Sequence, residues 1–244
     1  METVIDSRFK QIFSCIAGSR LYGTDTPGSD TDIRGVFIPT EEFYLGFLER
    51  VEHVESKVPD VTLWELSKFL KLCLDSNPNI IELPFVPESL QMVRTSEWDA
   101  ILEKRSLFLS SKARHTFSGY AVSQLHKLEN SIRSQTVYDT KHASHLIRLL
   151  SQGKELLTTG NITFPRPDAE ILTAIKQGEC SLDEVRALIP DGVDAYFDSF
   201  KDHIILPHSP DRKAIDTLCR DLVRTRLYGD SENVLPFEMV PQTK

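Results

Sequence analysis

The chain has 244 residues, 40% of them hydrophobic and 26% charged, and carries a formal net charge of −8. That composition is ordinary for a soluble globular protein with room for one large domain or two small ones. The acidity argues against a protein that coats nucleic acid without regard to sequence, and no stretch approaches the roughly 18 consecutive apolar residues of a membrane helix.

Residues 1–10 carry two acids and no long apolar run, so they do not read as a secretory signal, and the cytoplasm is the expected compartment. The four cysteines, Cys15, Cys73, Cys180 and Cys219, are scattered without metal-ligand spacing and each sits among apolar residues. Buried, reduced thiols are the expectation.

Taken in chain order, Gln11 to Ala17 is short, rich in β-branched and aromatic residues and stopped by Gly18, which predicts a buried strand. A turn-rich passage runs from Tyr22 to Ser29. Ile33 to Ile38 reads as a second strand ended by Pro39. Val51 to Val61 reads as extended and interrupted by Pro59. Thr62-Leu-Trp-Glu65 has the form of a capping box and predicts a helix start. Leu63, Leu66, Phe69, Leu70 and Cys73 then share one face, and the helix stops near Ser76-Asn77-Pro78. From about residue 97 the periodicity is helical, over 97–109, 112–131, 138–157, 167–177, 181–189 and 210–228, with a second capping box at Ser181-Leu-Asp-Glu184. These elements predict an α+β protein: an N-terminal domain over 1–100 with a mixed sheet flanked by helices, an all-α domain over 101–230, and a loose tail at 231–244.

Charge is distributed unevenly. Residues 1–103 hold 9 Lys and Arg against 18 Asp and Glu, residues 104–154 hold 9 against 2, and residues 155–244 hold 10 against 16. An acidic front followed by a basic middle suits carboxylates that hold metal beside a segment that receives phosphates. A solvated basic helix face explains the same counts.

The informative passage is Gly18 to Gly35. A predicted strand ends in Gly18-Ser19, where the missing Cβ lets a phosphate approach the backbone and the Ser19 hydroxyl adds a donor. Asp30-Thr-Asp32 leads into the second strand. Residues two apart in a strand share a face, so Asp30 and Asp32 are expected as paired carboxylates, a combination that favours Mg²⁺, a cation that takes oxygen ligands. Each fragment alone is common in turns. Their order, strand, Gly-Ser, spacer and acid-bearing strand, is not.

This passage resembles the DNA polymerase beta-like nucleotidyltransferase superfamily, whose signature is a hydrophobic strand, Gly-Ser, a spacer of about ten residues and an acid pair. The similarity extends to the predicted RNA-repair-pathway branch, RlaP, through Phe69 to Glu82, Gly119 to Gln124 and Tyr138 to Arg148. The resemblance covers roughly residues 10 to 190. It implies a transfer of a nucleoside monophosphate from a nucleoside triphosphate, ATP included, to an acceptor hydroxyl, assisted by two Mg²⁺ ions or by Mn²⁺, with release of pyrophosphate. The branch points to an RNA end as acceptor, such as a tRNA under repair; a protein or small-molecule acceptor and a non-catalytic nucleotide- or RNA-binding module are the alternatives.

The superfamily usually carries a third acid close to the pair, and Asp60 is the choice, with Glu52 and Glu55 as rivals. Asp30, Asp32 and Asp60 are thus the expected catalytic and metal-binding residues. Gly18, Ser19, Arg20, Lys141 and His145 are the expected nucleotide-binding residues. Lys141, His145 and Arg148 fall on one helix face, a stripe that suits a triphosphate or an RNA backbone. Arg34 is expected on the face opposite Asp32, in packing or an ion pair. Tyr22 is expected to pack or to stack on a base, and Asn77 and Glu82 are expected to be structural.

Overall fold

The computed structural model describes residues 8–48, 50–134 and 138–229. The tail expected at 231–244 lies outside the described residues.

Strand β1 (Phe9–Ala17) pairs antiparallel with β2 (Asp32–Pro39), and β2 pairs parallel with β4 (Asp60–Glu65). β3 (His53–Lys57) forms an antiparallel hairpin with β4, and β5 (Gln91–Arg94) adds to the free edge of β1. The order across the mixed sheet is β3-β4-β2-β1-β5. β1 and β2 carry runs of consecutive buried residues, Ile12 to Cys15 and Gly35 to Pro39, rather than alternating ones because both their faces are covered. On one face Phe37, Val61 and Leu63 form a small cluster flanked by Phe9, Ile33, Val51 and Val54. On the other, Phe13 stacks on Trp98 at 3.8 Å between ring centroids, with Phe69 at 5.5 Å from the same indole.

Between β1 and β2 lies the short helix α1 (Gly18–Tyr22), and α2 (Glu41–Leu45) follows β2. Helices α3 (Leu66–Leu74), α4 (Pro78–Ile81) and α5 (Ser96–Glu103) complete the first part. The rest is helical: α6 (Ala113–Ser134), α7 (Thr140–Thr159), α8 (Ala169–Gln177), α9 (Leu182–Ala187), α10 (Gly192–Asp198) and α11 (Arg212–Tyr228). The protein is α+β, as its sequence implies. One buried cluster runs from Ile12 in the sheet to Leu222 in α11, so the helices and the sheet share a core. Its tightest point is Gly153 in α7, where an added Cβ would meet Phe117 at 2.9 Å and Phe197 at 3.0 Å. The absence of a side chain there lets α6 and α10 close on α7.

Several boundaries differ from expectation. The residues of the supposed capping box at Thr62 are a strand, with Val61, Leu63 and Glu65 buried in period-two alternation. The helix begins at Leu66, and Glu65 is its cap. The Glu65 carboxylate accepts from the backbone amides of Ser67 at 2.9 Å and Lys68 at 3.0 Å, and from the Tyr44 hydroxyl at 2.6 Å. The capping box at Ser181 does form, with Ser181 N–H donating to Glu184 at 2.7 Å. The helix expected over 97–109 ends at Glu103 and gives way to a 3₁₀ turn at Arg105–Phe108. Strand β5 and helices α2, α4 and α10 are not among the elements expected from the sequence. All four cysteines are free, but only Cys15 and Cys73 are buried; Cys180 and Cys219 are half-buried. Among the described residues no helix is long and apolar enough to cross a membrane.

Glu65 fixes the junction of sheet and helix while 7% exposed. Replacing it with Ala leaves two amides and a tyrosine hydroxyl without their acceptor, and we expect a loss of about 2 kcal/mol in unfolding free energy. Urea denaturation measures this; a loss below about 0.5 kcal/mol would show that the cap is replaceable by water.

Candidate active site

β1 ends at Ala17 and α1 begins at once with Gly18, whose φ of 63° is a left-handed value that favours glycine. A Cβ built on Gly18 would stand 1.8 Å from Oδ2 of Asp32. The Asp32 carboxylate therefore rests in the space that any other residue at position 18 would fill. Antiparallel register sets Ala17 opposite Asp32, and parallel register sets Asp32 opposite Asp60. The two carboxyl groups are thereby brought close enough to influence each other's ionisation.

Arg34 answers this crowding. Its Nη1 donates to Asp60 Oδ1 at 2.8 Å and to the Ile33 carbonyl at 2.9 Å, while Nη2 lies 3.7 Å from Asp32 Oδ1. The expectation that Arg34 faces away from Asp32 is corrected: two residues apart on one strand, the side chains share a face. The ion pair expected for it is present. Burial raises the Asp32 carboxyl above the ordinary carboxylate range, and the charges of Asp60 and Asp30 act in the same direction against the pull of Arg34. Asp60 is held below that range, chiefly by its hydrogen bond from Arg34.

Asp30 is not on the strand. β2 starts at Asp32, because pairing with Ala17 defines its first residue, and Asp30 sits exposed in the preceding loop. That loop is tied down by Thr24 N–H to the Ser19 carbonyl at 2.9 Å and Thr26 N–H to Ser29 Oγ at 2.9 Å. Arg20 donates to the Ser29 carbonyl at 3.2 Å, is exposed, and does not line the cleft described next.

A cleft of about 530 Å³ opens over these groups. Gly18, Ser19, Asp30, Asp32 and Asp60 line its sheet side; Lys141, His145 and Arg148 of α7 and Lys176 of α8 line its helical side. Glu52 and Glu55 lie elsewhere: Glu52 pairs with Lys68 at 2.7 Å, and Glu55 stands beside His53 at 3.6 Å. Acids thus face bases across one cavity. Lys176 donates to the Thr24 carbonyl at 3.1 Å and is a site residue that the basic segment does not signal, since it lies outside it. A second hollow, of about 300 Å³ beside Tyr44, lies at the far ends of β2 and β4, where Glu65 is engaged as a helix cap.

His145 is driven down to about 3 by burial and by the neighbouring charges of Arg148, His142, Lys127 and Lys141, and is therefore neutral. Its Nε2 is buried and has no hydrogen-bond partner among the described residues. His142 turns to Gln124 at 2.9 Å, so the two histidines do not form a metal pair. Among the described residues, three of the nine positive charges of 104–154 are engaged with acids: Lys112 with Asp75 at 2.6 Å, Arg114 with Asp198 at 2.5 Å, and Arg148 near Glu82 at 3.5 Å.

Among the described residues, no three His, Cys, Asp or Glu groups converge as a self-sufficient metal site. Two adjoining carboxylates in a cleft, seated in the hollow at Gly18, nevertheless fit a cation such as Mg²⁺, which commonly takes one or two protein carboxylates and completes its shell with water and substrate phosphates.

The profile of the RNA repair pathway DNA polymerase beta family, RlaP, matches residues 2–221. The chain belongs to this family. It is 32% identical over 76 residues to the uncharacterized protein YcgL of Bacillus subtilis (strain 168), an overlap of 30% of this chain and 29% of the relative. It is 28% identical over 142 residues to an uncharacterized 38.9 kDa protein from the nrdC-mobD intergenic region of Enterobacteria phage T4, covering 52% and 39% of the two chains. Identity to the uncharacterized protein MJ0002 of Methanocaldococcus jannaschii is 28% over 155 residues, 61% of each chain. The matched portions thus span from 29% to 61% of these curated relatives.

Two outcomes follow from the site's geometry. Gly18→Ala should displace the Asp32 carboxylate and cost about 1–3 kcal/mol through its left-handed backbone; a crystal structure of the variant with Asp32 unmoved would refute this. His145 should stay neutral from pH 8 to pH 5, read by its imidazole resonances. Because its folded value of about 3 lies below the ordinary 6.5, the unfolded chain takes up the proton first and stability falls as pH drops through that window. His145→Gln should therefore flatten the decline in unfolding free energy between pH 7 and pH 5, and an unchanged slope would show that His145 titrates normally.

Proposed function

We propose that the chain is a metal-dependent nucleotidyltransferase that transfers a nucleoside monophosphate from a nucleoside triphosphate to the hydroxyl of an RNA end. The observation that carries this reading is the Asp32–Asp60 pair, seated against Gly18 and facing Lys141 and Lys176 across the cleft. A substrate that satisfies both walls carries negative charge toward the bases and brings a cation toward the acids, as a metal-bound triphosphate does.

In this reading the acceptor oxygen attacks the α-phosphorus, the bond to the bridging oxygen breaks, and pyrophosphate leaves. A bound divalent cation supplies charge neutralisation between the carboxylates and the phosphates. The chain's own contribution is position. Gly18 lets the triphosphate approach the backbone, Ser19 offers its hydroxyl, and Lys141 and Lys176 face the phosphate charge. Arg34 keeps Asp60 ionised and beside Asp32, and a carboxylate of this pair receives the proton of the attacking hydroxyl. His145, being neutral, offers a hydrogen bond rather than a charge. Such preorganised electrostatics is the main source of catalysis in phosphoryl transfer generally.

The family's link to RNA repair supports an RNA acceptor, a tRNA end being one example. The engagement of Lys112 and Arg114 in ion pairs leaves less free charge for an extended RNA contact and favours, as a second reading, a protein or small-molecule acceptor. Labelled triphosphates offered with RNA, protein and small-molecule pools separate the two. We expect label in RNA, and a rate at least about a hundredfold lower for Asp30→Asn combined with Asp32→Asn. Full activity in that double variant would remove this cleft from the chemistry, and label confined to protein or small molecules would remove the RNA acceptor.

A further inference from the structure

Across the cleft from the carboxylates, α7 presents one guanidinium whose surroundings are unusually complete. Arg148 is 5% exposed and still lines the cavity. A buried cation is costly unless its charge is matched and its donors are occupied. Glu82, itself 3% exposed, lies 3.5 Å from Nη1. Gln152, one turn further along α7, accepts from Nη1 at 2.6 Å and donates to Glu82 at 3.0 Å. Tyr22 donates its hydroxyl to Glu82 at 2.9 Å and sets its ring 4.2 Å from the guanidinium carbon.

Each of these polar contacts to Arg148 uses Nη1, and Tyr22 covers one face of the plane. A guanidinium has five N–H donors, so among the described residues Nε and Nη2 keep their donors for an anion in the cleft that Arg148 lines. We propose that Arg148 is the fixed triphosphate-binding cation of this site, with Glu82, Gln152 and Tyr22 as the residues that position it. This inference rests on the nucleotidyltransferase reading above.

The location selects a triphosphate over an RNA backbone. Tyr22 closes the helix that Gly18 and Ser19 open, and four residues of α-helix rise only about 6 Å. An anion that starts on Gly18-Ser19 and ends on the guanidinium over Tyr22 is therefore short. Cations that track a nucleic-acid strand lie on a surface, whereas this one is enclosed. Glu82 already balances the charge, so what Arg148 adds is a set of directed donors whose fork matches phosphate oxygens. Lysine has the charge without the fork, and should not replace it.

Calorimetric titration with inorganic tripolyphosphate and Mg²⁺ tests this without assuming a base, using wild type, Arg148→Lys, Tyr22→Phe, their double variant and Asp32→Asn, with thermal unfolding as a check on folding. We expect Arg148→Lys to weaken binding at least tenfold. Tyr22→Phe should weaken it several-fold in wild type and not at all in the Arg148→Lys background; a merely structural tyrosine would act equally in both. Binding by Arg148→Lys within twofold of wild type overturns the proposal, as does weakening seen only with an unphosphorylated single-stranded RNA oligonucleotide. If Arg148→Lys does not fold, unchanged binding by Tyr22→Phe overturns it instead. A wild type that binds and loses affinity through Asp32→Asn while ignoring Arg148→Lys defeats this inference alone. A wild type that does not bind Mg²⁺-tripolyphosphate defeats the nucleotidyltransferase reading with it.

Discussion

The parallel register of β2 and β4 sets Asp32 level with Asp60, and the rest of the site is arranged around the repulsion this creates. Two carboxylates side by side are unfavourable when both are ionised, and the structure meets the cost in three ways. Arg34 bonds Asp60 and stands near Asp32. Gly18 vacates the space that the Asp32 carboxylate occupies. The cleft keeps both acids open to one side, where a cation has access. The charge that remains after Arg34 is the part a substrate-borne cation would neutralise.

Placement of the opposite wall depends on packing. The helices share one buried cluster with the sheet, and Gly153 allows α7 to sit close against its neighbours. That position brings Lys141, His145 and Arg148 over the cleft. Glu82 then joins Tyr22 of α1 to Gln152 of α7, so the same buried network that supports the walls also sets the distance between them. Stability and site geometry rest here on the same contacts.

Much of this was legible from the residue order. The apolar runs of β1 and β2, the Gly18-Ser19 bend, the helices of the C-terminal part and the family resemblance all survive, because they depend on local pattern. What failed depends on partners distant in sequence. Asp30 and Asp32 look equivalent in Asp30-Thr-Asp32, yet only pairing with Ala17 decides which begins the strand. Thr62 to Glu65 carries a capping signature and also the alternation of a strand, and pairing with β2 selects the strand. β5 is a four-residue edge whose existence depends on β1. Arg34 is different: strand alternation already placed it beside Asp32, and the expectation misapplied that rule. Lys176 carries no local signal at all, since α8 brings it to the cleft from outside the basic segment.

The claim on which this interpretation stands is that Asp32 and Asp60 together hold a divalent cation that arrives with a triphosphate. Anomalous diffraction from crystals soaked with Mn²⁺ and a non-hydrolysable nucleoside triphosphate tests it most directly. The account predicts a peak bonded to both carboxylates, with the phosphates on the Gly18-Ser19 side of the cleft. A map without a peak there, with Arg34 still the sole cation on Asp60, would contradict it.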